Sequence, residues 1–128
     1  MMDINELSNK IIGACIEVHK TLGPGLLETT YEECLCHELS LRGLSLERQK
    51  SLPVIYKGRQ LDCGYRLDVV VENQIILELK SCGEIEPIHR AQLLTYLKLS
   101  GHNLGLLLNF NSPIMRDGIV RIVNEFKE

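Results

Sequence analysis

The feature that most constrains this chain is a pair of apolar, strand-length runs that each carry charge. From Gly64 to Ser81 the sequence reads G-Y-R-L-D-V-V-V-E-N-Q-I-I-L-E-L-K-S. Asp68 interrupts the first run, and Glu78 and Lys80 stand two positions apart in the second. Residues spaced by two on a strand share a face, and a charge among Val, Ile and Leu is costly to bury without a partner or a metal. The two runs predict a hairpin. For Asp68 to oppose Glu78, Val71 must pair with Ile75, leaving Glu72-Asn73-Gln74 as a three-residue loop with one left-handed residue, which Asn tolerates. A two-residue loop would set Leu79 opposite Asp68 and separate the acids by face. In the odd-loop register Asp68, Val70, Ile76, Glu78 and Lys80 share one side, with Val69, Val71, Leu77 and Leu79 on the other.

Helical patterns precede the hairpin. Ile4, Leu7, Ile11, Cys15, Val18 and Leu22 recur at three- and four-residue spacing, predicting an amphipathic helix over Ile4 to Leu22 that Gly23-Pro24-Gly25 ends. His19, near its C-terminus, suits the helix dipole and reads as structural. A second helix is predicted from about Leu26 to Leu41, stopped by Arg42-Gly43, with Leu27, Tyr31, Leu35 and Leu39 as its stripe. On spacing alone Glu28 is an acid in a first turn, favourable to the dipole. Strands are expected on either side of Pro53, itself a mark of an edge or bulge, with V-I-Y leading into the Lys57-Gly58 turn. After the hairpin come a linker over Ser81 to Pro87, a helix from about Ile88 to Leu99, a buried strand over Gly105 to Phe110 and a last strand over Gly118 to Phe126. The order α-α-β-β-β-α-β-β predicts an α/β layer fold around a mixed sheet of about four to five strands.

At 128 residues the chain is expected to form one domain, residues 1–128, with a sound core. No apolar run approaches the roughly 20 residues of a membrane span, and the N-terminus lacks a signal-peptide pattern, so a cytoplasmic protein away from membranes is expected. Five cysteines without a C-x-x-C pair argue against a disulfide framework or a zinc ribbon. A net charge of −3 does not advertise nucleic-acid binding, although Arg48, Lys50, Lys57, Arg59 and Arg66 form a candidate basic strip before the hairpin. A solvated edge explains any one of them equally well.

Two carboxylates a few ångströms apart raise each other's pKa unless a cation lies between them. Hard oxygen donors with open positions suit Mg²⁺ or Mn²⁺. Lys80, on the same face, is placed to orient or deprotonate a water, or to steady charge developing on phosphorus. A buried Asp–Lys–Glu ion network is the competing reading, and so short a pattern leaves both open.

Asp68 followed by Glu78-Leu79-Lys80 resembles the core motif of the PD-(D/E)XK nuclease superfamily. Gly25-Leu26-Leu27-Glu28-Thr29-Thr30-Tyr31 resembles the signature of its GxxExxY branch, and the likeness extends to Gly23-Pro24-Gly25 and to Asn109-Phe110. Leu67 stands where the motif's proline would be, a departure frequent in the superfamily. The resemblance implies a restriction-endonuclease-like core and metal-dependent hydrolysis of phosphodiester bonds. Asp68, Glu78, Glu28 and the Leu79 carbonyl would be metal ligands and Lys80 the residue acting on water. Gln92 and Tyr96, otherwise an i, i+4 surface and core pair, resemble a Q-x-x-x-Y element facing the same site. His89 and Arg90 are weaker candidates for phosphate contact. The implied partner is nucleic acid, DNA before RNA, gripped by a possible homodimer. The alternative is a nuclease-fold module that binds nucleic acid or a protein without cutting.

Overall fold

The computed structural model describes residues 2–125. Helix α1 spans Ile4–Leu22, capped by Asp3, whose carboxylate accepts the Glu6 N–H. Helix α2 runs Glu28–Leu41, two residues shorter at its start than its spacing predicts. The reason lies in Tyr31: its hydroxyl donates to the Gly23 carbonyl at 2.5 Å and accepts the Leu26 N–H at 3.1 Å. That pair of bonds holds residues 23–26 as a loop, leaving Leu27 outside the helix and 73% exposed rather than on the buried stripe.

Strands β1 (Leu46–Ser51), β4 (Arg66–Val71), β5 (Ile75–Lys80), β6 (Leu104–Asn109) and β7 (Ile119–Val123) form one sheet in the order β1-β4-β5-β6-β7. Its pairs are antiparallel except β5–β6, joined in parallel through helix α3 (Pro87–Ser100). Strands β2 (Val54–Tyr56) and β3 (Arg59–Leu61) form a separate ribbon around the Lys57-Gly58 turn. The sheet and helices alone keep the expected order α-α-β-β-β-α-β-β; the ribbon adds β2, the V-I-Y strand, and β3, which the sequence pattern did not reveal. Pro53 follows the end of edge strand β1. The last strand is shorter than expected at both ends: residues Met115–Gly118 form a 3-10 turn, and Asn124, past the end of the ladder, donates its N–H to the Asn103 carbonyl; Phe126 lies outside the described residues.

One face of the sheet packs Val69, Val71, Leu77 and Leu79 against α1 and α2, with Leu7, Ile11, Cys15, Leu35 and Leu39 buried there. The other packs Val70, Ile76 and Leu107 against Leu93, Tyr96 and Leu97 of α3. All six residues of β6 are buried, as a strand covered on both faces requires. This mixed sheet between helical layers is a restriction-endonuclease-like α/β core.

The hairpin has the odd register: Val71 pairs with Ile75, Val70 with Ile76 and Val69 with Leu77. Two residues rather than one are left-handed in its turn, Glu72 and Asn73, both at φ 52°. Glu72 is anchored there by Ser45, whose N–H and hydroxyl both donate to its carboxylate at 2.6 Å.

Candidate active site at the fork of the central strands

Strands β4 and β5 pair over only three residues before they part, while each stays paired with its outer neighbour. β4 follows β1 as far as Arg66 opposite Ser51, and β5 follows β6 as far as Lys80 opposite Asn109. At the fork, side chains replace the ladder. The Asp68 N–H donates to Glu78 Oε2, and the Leu79 N–H donates to Asp68 Oδ2, both at 2.9 Å. Alternation also breaks here: Leu67 joins Val70 in the α3-side core, whereas Val69 faces α1 and α2. The two acids are thereby held side by side by backbone N–H donors just beyond the end of the β4–β5 ladder.

Their environment is unfavourable to charge. Burial pushes the Glu78 carboxyl up to about 8, and the neighbouring Asp68 adds to the shift. Burial raises Asp68 as well, against the Leu79 N–H, with Glu32 and Glu28 adding to the rise. Lys80 pulls both carboxyls back. Neither acid belongs to an ion pair among the described residues. A buried Asp–Lys–Glu salt-bridge network is therefore not formed.

Glu28 reaches the same end of β5 from α2, accepting the Ser81 N–H at 3.2 Å, while the Ser81 hydroxyl donates to the Leu26 carbonyl at 2.6 Å. Tyr31 stacks on Phe110, centroids 4.6 Å apart, and the Phe110 N–H donates to the Lys80 carbonyl at 3.0 Å. Asn109 fastens the next residues, accepting the Cys82 N–H and donating to the Cys82 carbonyl. The Gly25, Glu28 and Tyr31 positions and Asn109-Phe110 thus act together: loop, helix start and strand end are tied around Lys80 and Ser81. A recess of about 360 Å³ opens there, lined by Leu26, Leu27, Glu28, Thr29 and Ser81.

From the opposite face, Tyr96 is buried, and its hydroxyl is raised by burial and then by the charge of Glu78, with Gln92 acting in the other direction. Gln92 is exposed beside it. His89 serves α3 itself: its Nδ1 accepts the Glu86 N–H in a capping box. His19 bonds the Ser112 carbonyl at 2.7 Å, a specific partner beyond the helix dipole. Arg48 is not a free cation of the basic strip; Glu32 and Glu33 each hold it at 2.9 Å.

Two residues near the acids escaped the sequence pattern. Glu32, one turn beyond Glu28, is buried and also accepts from the Gln49 side chain at 2.9 Å. The β1–β4 ladder skips Gln49 and Asp68 between the pairs Arg48–Val69 and Lys50–Leu67, and Gln49 is left-handed, at φ 49°, a costly backbone state for a residue with a Cβ. The one available signal was the four-residue spacing of Glu28 and Glu32.

The donor set suits a hard divalent cation. Asp68 Oδ2 and Glu78 Oε2 are engaged by backbone N–H groups, while no hydrogen bond among the described residues reaches Asp68 Oδ1 or Glu78 Oε1. The Leu79 N–H, directly after Glu78, donates to Asp68, so this peptide adjoins both acids. Among the described residues no three His, Cys, Asp or Glu side chains are gathered as a metal cluster, so the cation's remaining ligands would be water, backbone carbonyl or substrate, as Mg²⁺ favours. Comparison with curated proteins and with solved structures returns no match. A family model does match, over residues 5–122, from the first turn of α1 into β7. The chain belongs to the PD-(D/E)XK nuclease superfamily.

Proposed function

We propose that this protein is a metal-dependent nuclease of the GxxExxY branch, hydrolysing phosphodiester bonds of nucleic acid, DNA in preference to RNA. The observation that carries the reading is the fork, where two partly desolvated carboxylates stand side by side with one oxygen each free. Asp68 and Glu78 would hold a Mg²⁺ or Mn²⁺ ion, with the Leu79 carbonyl as a further ligand and Glu28 completing the acidic surround. Such an ion would supply a water of lowered pKa and offset charge on the phosphate. Lys80, on the same strand face as Glu78, orients the attacking water and balances negative charge developing on phosphorus. Gln92 and Tyr96 form the opposite wall, facing the strand to be cut.

The test is cleavage of single- and double-stranded DNA and RNA in Mg²⁺ or Mn²⁺ by the wild type, Asp68→Asn and Lys80→Ala. We expect metal-dependent cleavage by the wild type and a fall of roughly 10²-fold or more in each variant, the scale of losing a general-base or transition-state contact. Cleavage that survives both substitutions would overturn the assignment.

A further inference from the structure

Beside the acids, on the α3 face, lies a groove of about 410 Å³ between the β2–β3 ribbon and α3. Tyr96 lies on its inner side, and Tyr65 stands over it at 6.0 Å between centroids, tilted by 58° and 44% exposed. Val54, Ile88, Ala91, Gln92, Thr95 and Leu99 complete the walls, and no charged side chain lines it. Cations lie instead on the segments that bound it. Residues 48–66 hold five basic residues against one acid, Asp62, in a chain of net charge −3. Arg48 is consumed by Glu32 and Glu33 and Lys50 by Glu47. Lys57, Arg59 and Arg66 form no ion pair among the described residues. Arg66 follows Tyr65 directly and donates to its carbonyl, while Lys57 and Arg59 flank the ribbon turn, Lys57 lying 5.5 Å over the Tyr56 ring.

We infer that this groove is a base-stacking wall for single-stranded nucleic acid, taking bases against Tyr65, Val54 and Ile88 and phosphates along Lys57, Arg59 and Arg66. Uncharged flat surface inside and unpaired cations outside match a strand whose bases turn toward the protein. A duplex presents the reverse, with phosphates outward and bases already stacked. The exposed apolar side chains of the wall, Ile88 at 70% and Tyr65, then have an occupant whose charge complements their rim. The inference rests on the nuclease reading for the bond to be cut, but not for binding itself.

The experiment measures binding without cleavage, in EDTA, by fluorescence anisotropy of labelled oligonucleotides of roughly 15 nucleotides, within the span of known single-strand sites. Single-stranded DNA, single-stranded RNA and the matching DNA duplex are compared on the wild type, Tyr65→Ala, Tyr65→Phe and the double variant Lys57→Gln/Arg59→Gln. We expect single strands to bind at least roughly 10-fold tighter than duplex, a loss of about 10-fold in Tyr65→Ala, and recovery in Tyr65→Phe, which keeps the ring. The double variant should lower the salt dependence of log K by about 1.4, near 0.7 for each phosphate contact. Equal or tighter duplex binding, no nucleic-acid binding, or indifference to Tyr65→Ala overturns the wall. Circular dichroism of each variant guards against misfolding, and the ribbon-turn double variant touches no core residue. If single strands bind as expected but are never cut in Mg²⁺ or Mn²⁺, the nuclease reading fails and the wall stands. If duplex is cut and single strands are not preferred, the wall fails and the nuclease reading stands.

Discussion

Glu78 has a carboxyl held near pKa 8, far above the 4.5 of an unperturbed glutamate. The folded protein therefore binds a proton at this position that the unfolded chain releases between pH 4.5 and about 8. Stability from this group is full below the unfolded value and is lost as pH rises through the folded one. Asp68 is shifted in the same direction. We predict that the metal-free protein melts at progressively lower temperature from pH 5 to pH 9 in EDTA, by roughly 2–5 kcal/mol in total. Glu78→Gln should flatten that dependence. Asp68→Asn should raise the metal-free melting temperature above pH 7, because the Leu79 N–H keeps an acceptor while the repulsion with Glu78 disappears. A thermal scan across pH checks all three outcomes.

The elements hold the acids in place through two devices, the odd hairpin turn and the Tyr31 staple. Deleting Asn73 shortens the turn to two residues but leaves Val71 opposite Ile75, so the acids keep one face. The expected result is a less stable hairpin turn with divalent-cation binding and strand content retained, read by calorimetry and circular dichroism. Tyr31→Phe keeps the stack on Phe110 but leaves the Gly23 carbonyl and Leu26 N–H without their hydroxyl partner. A stability loss of about 1 kcal/mol is expected, with a larger effect on cleavage, because Glu28 follows directly on that loop. The turn was legible in the sequence because a two-residue period leaves only one register that unites the charges. The start of α2 was not, because Leu26 and Leu27 have ordinary helical propensity and only a contact with Tyr31 keeps them out. Ribbon strand β3 was hidden for a related reason: R-Q-L is too short and too polar to carry a period. Glu32 and Gln49 belong to a tertiary contact between α2 and β1, which no local spacing encodes.

For the whole molecule, acidic net charge and nucleic-acid chemistry are reconciled by segregation. Acids gather at the fork and on α2, while unpaired cations lie on the ribbon and at Arg66. The proposed site residues Glu28, Asp68, Glu78, Lys80 and Tyr96 come from four elements, two of them the strands that part at the fork and two of them helices from the opposite layers. A cation at the fork would offset the repulsion that raises Glu78, so metal binding and proton release must be coupled. The most direct measurement is calorimetric titration of Mn²⁺ at pH 7 in two buffers of different ionisation enthalpy, on the wild type and Asp68→Asn. We predict binding by the wild type with release of a proton, a release that fades above pH 8, and no binding by Asp68→Asn. Binding that releases no proton, or that persists unchanged in Asp68→Asn, would contradict the assignment of the fork as the metal platform.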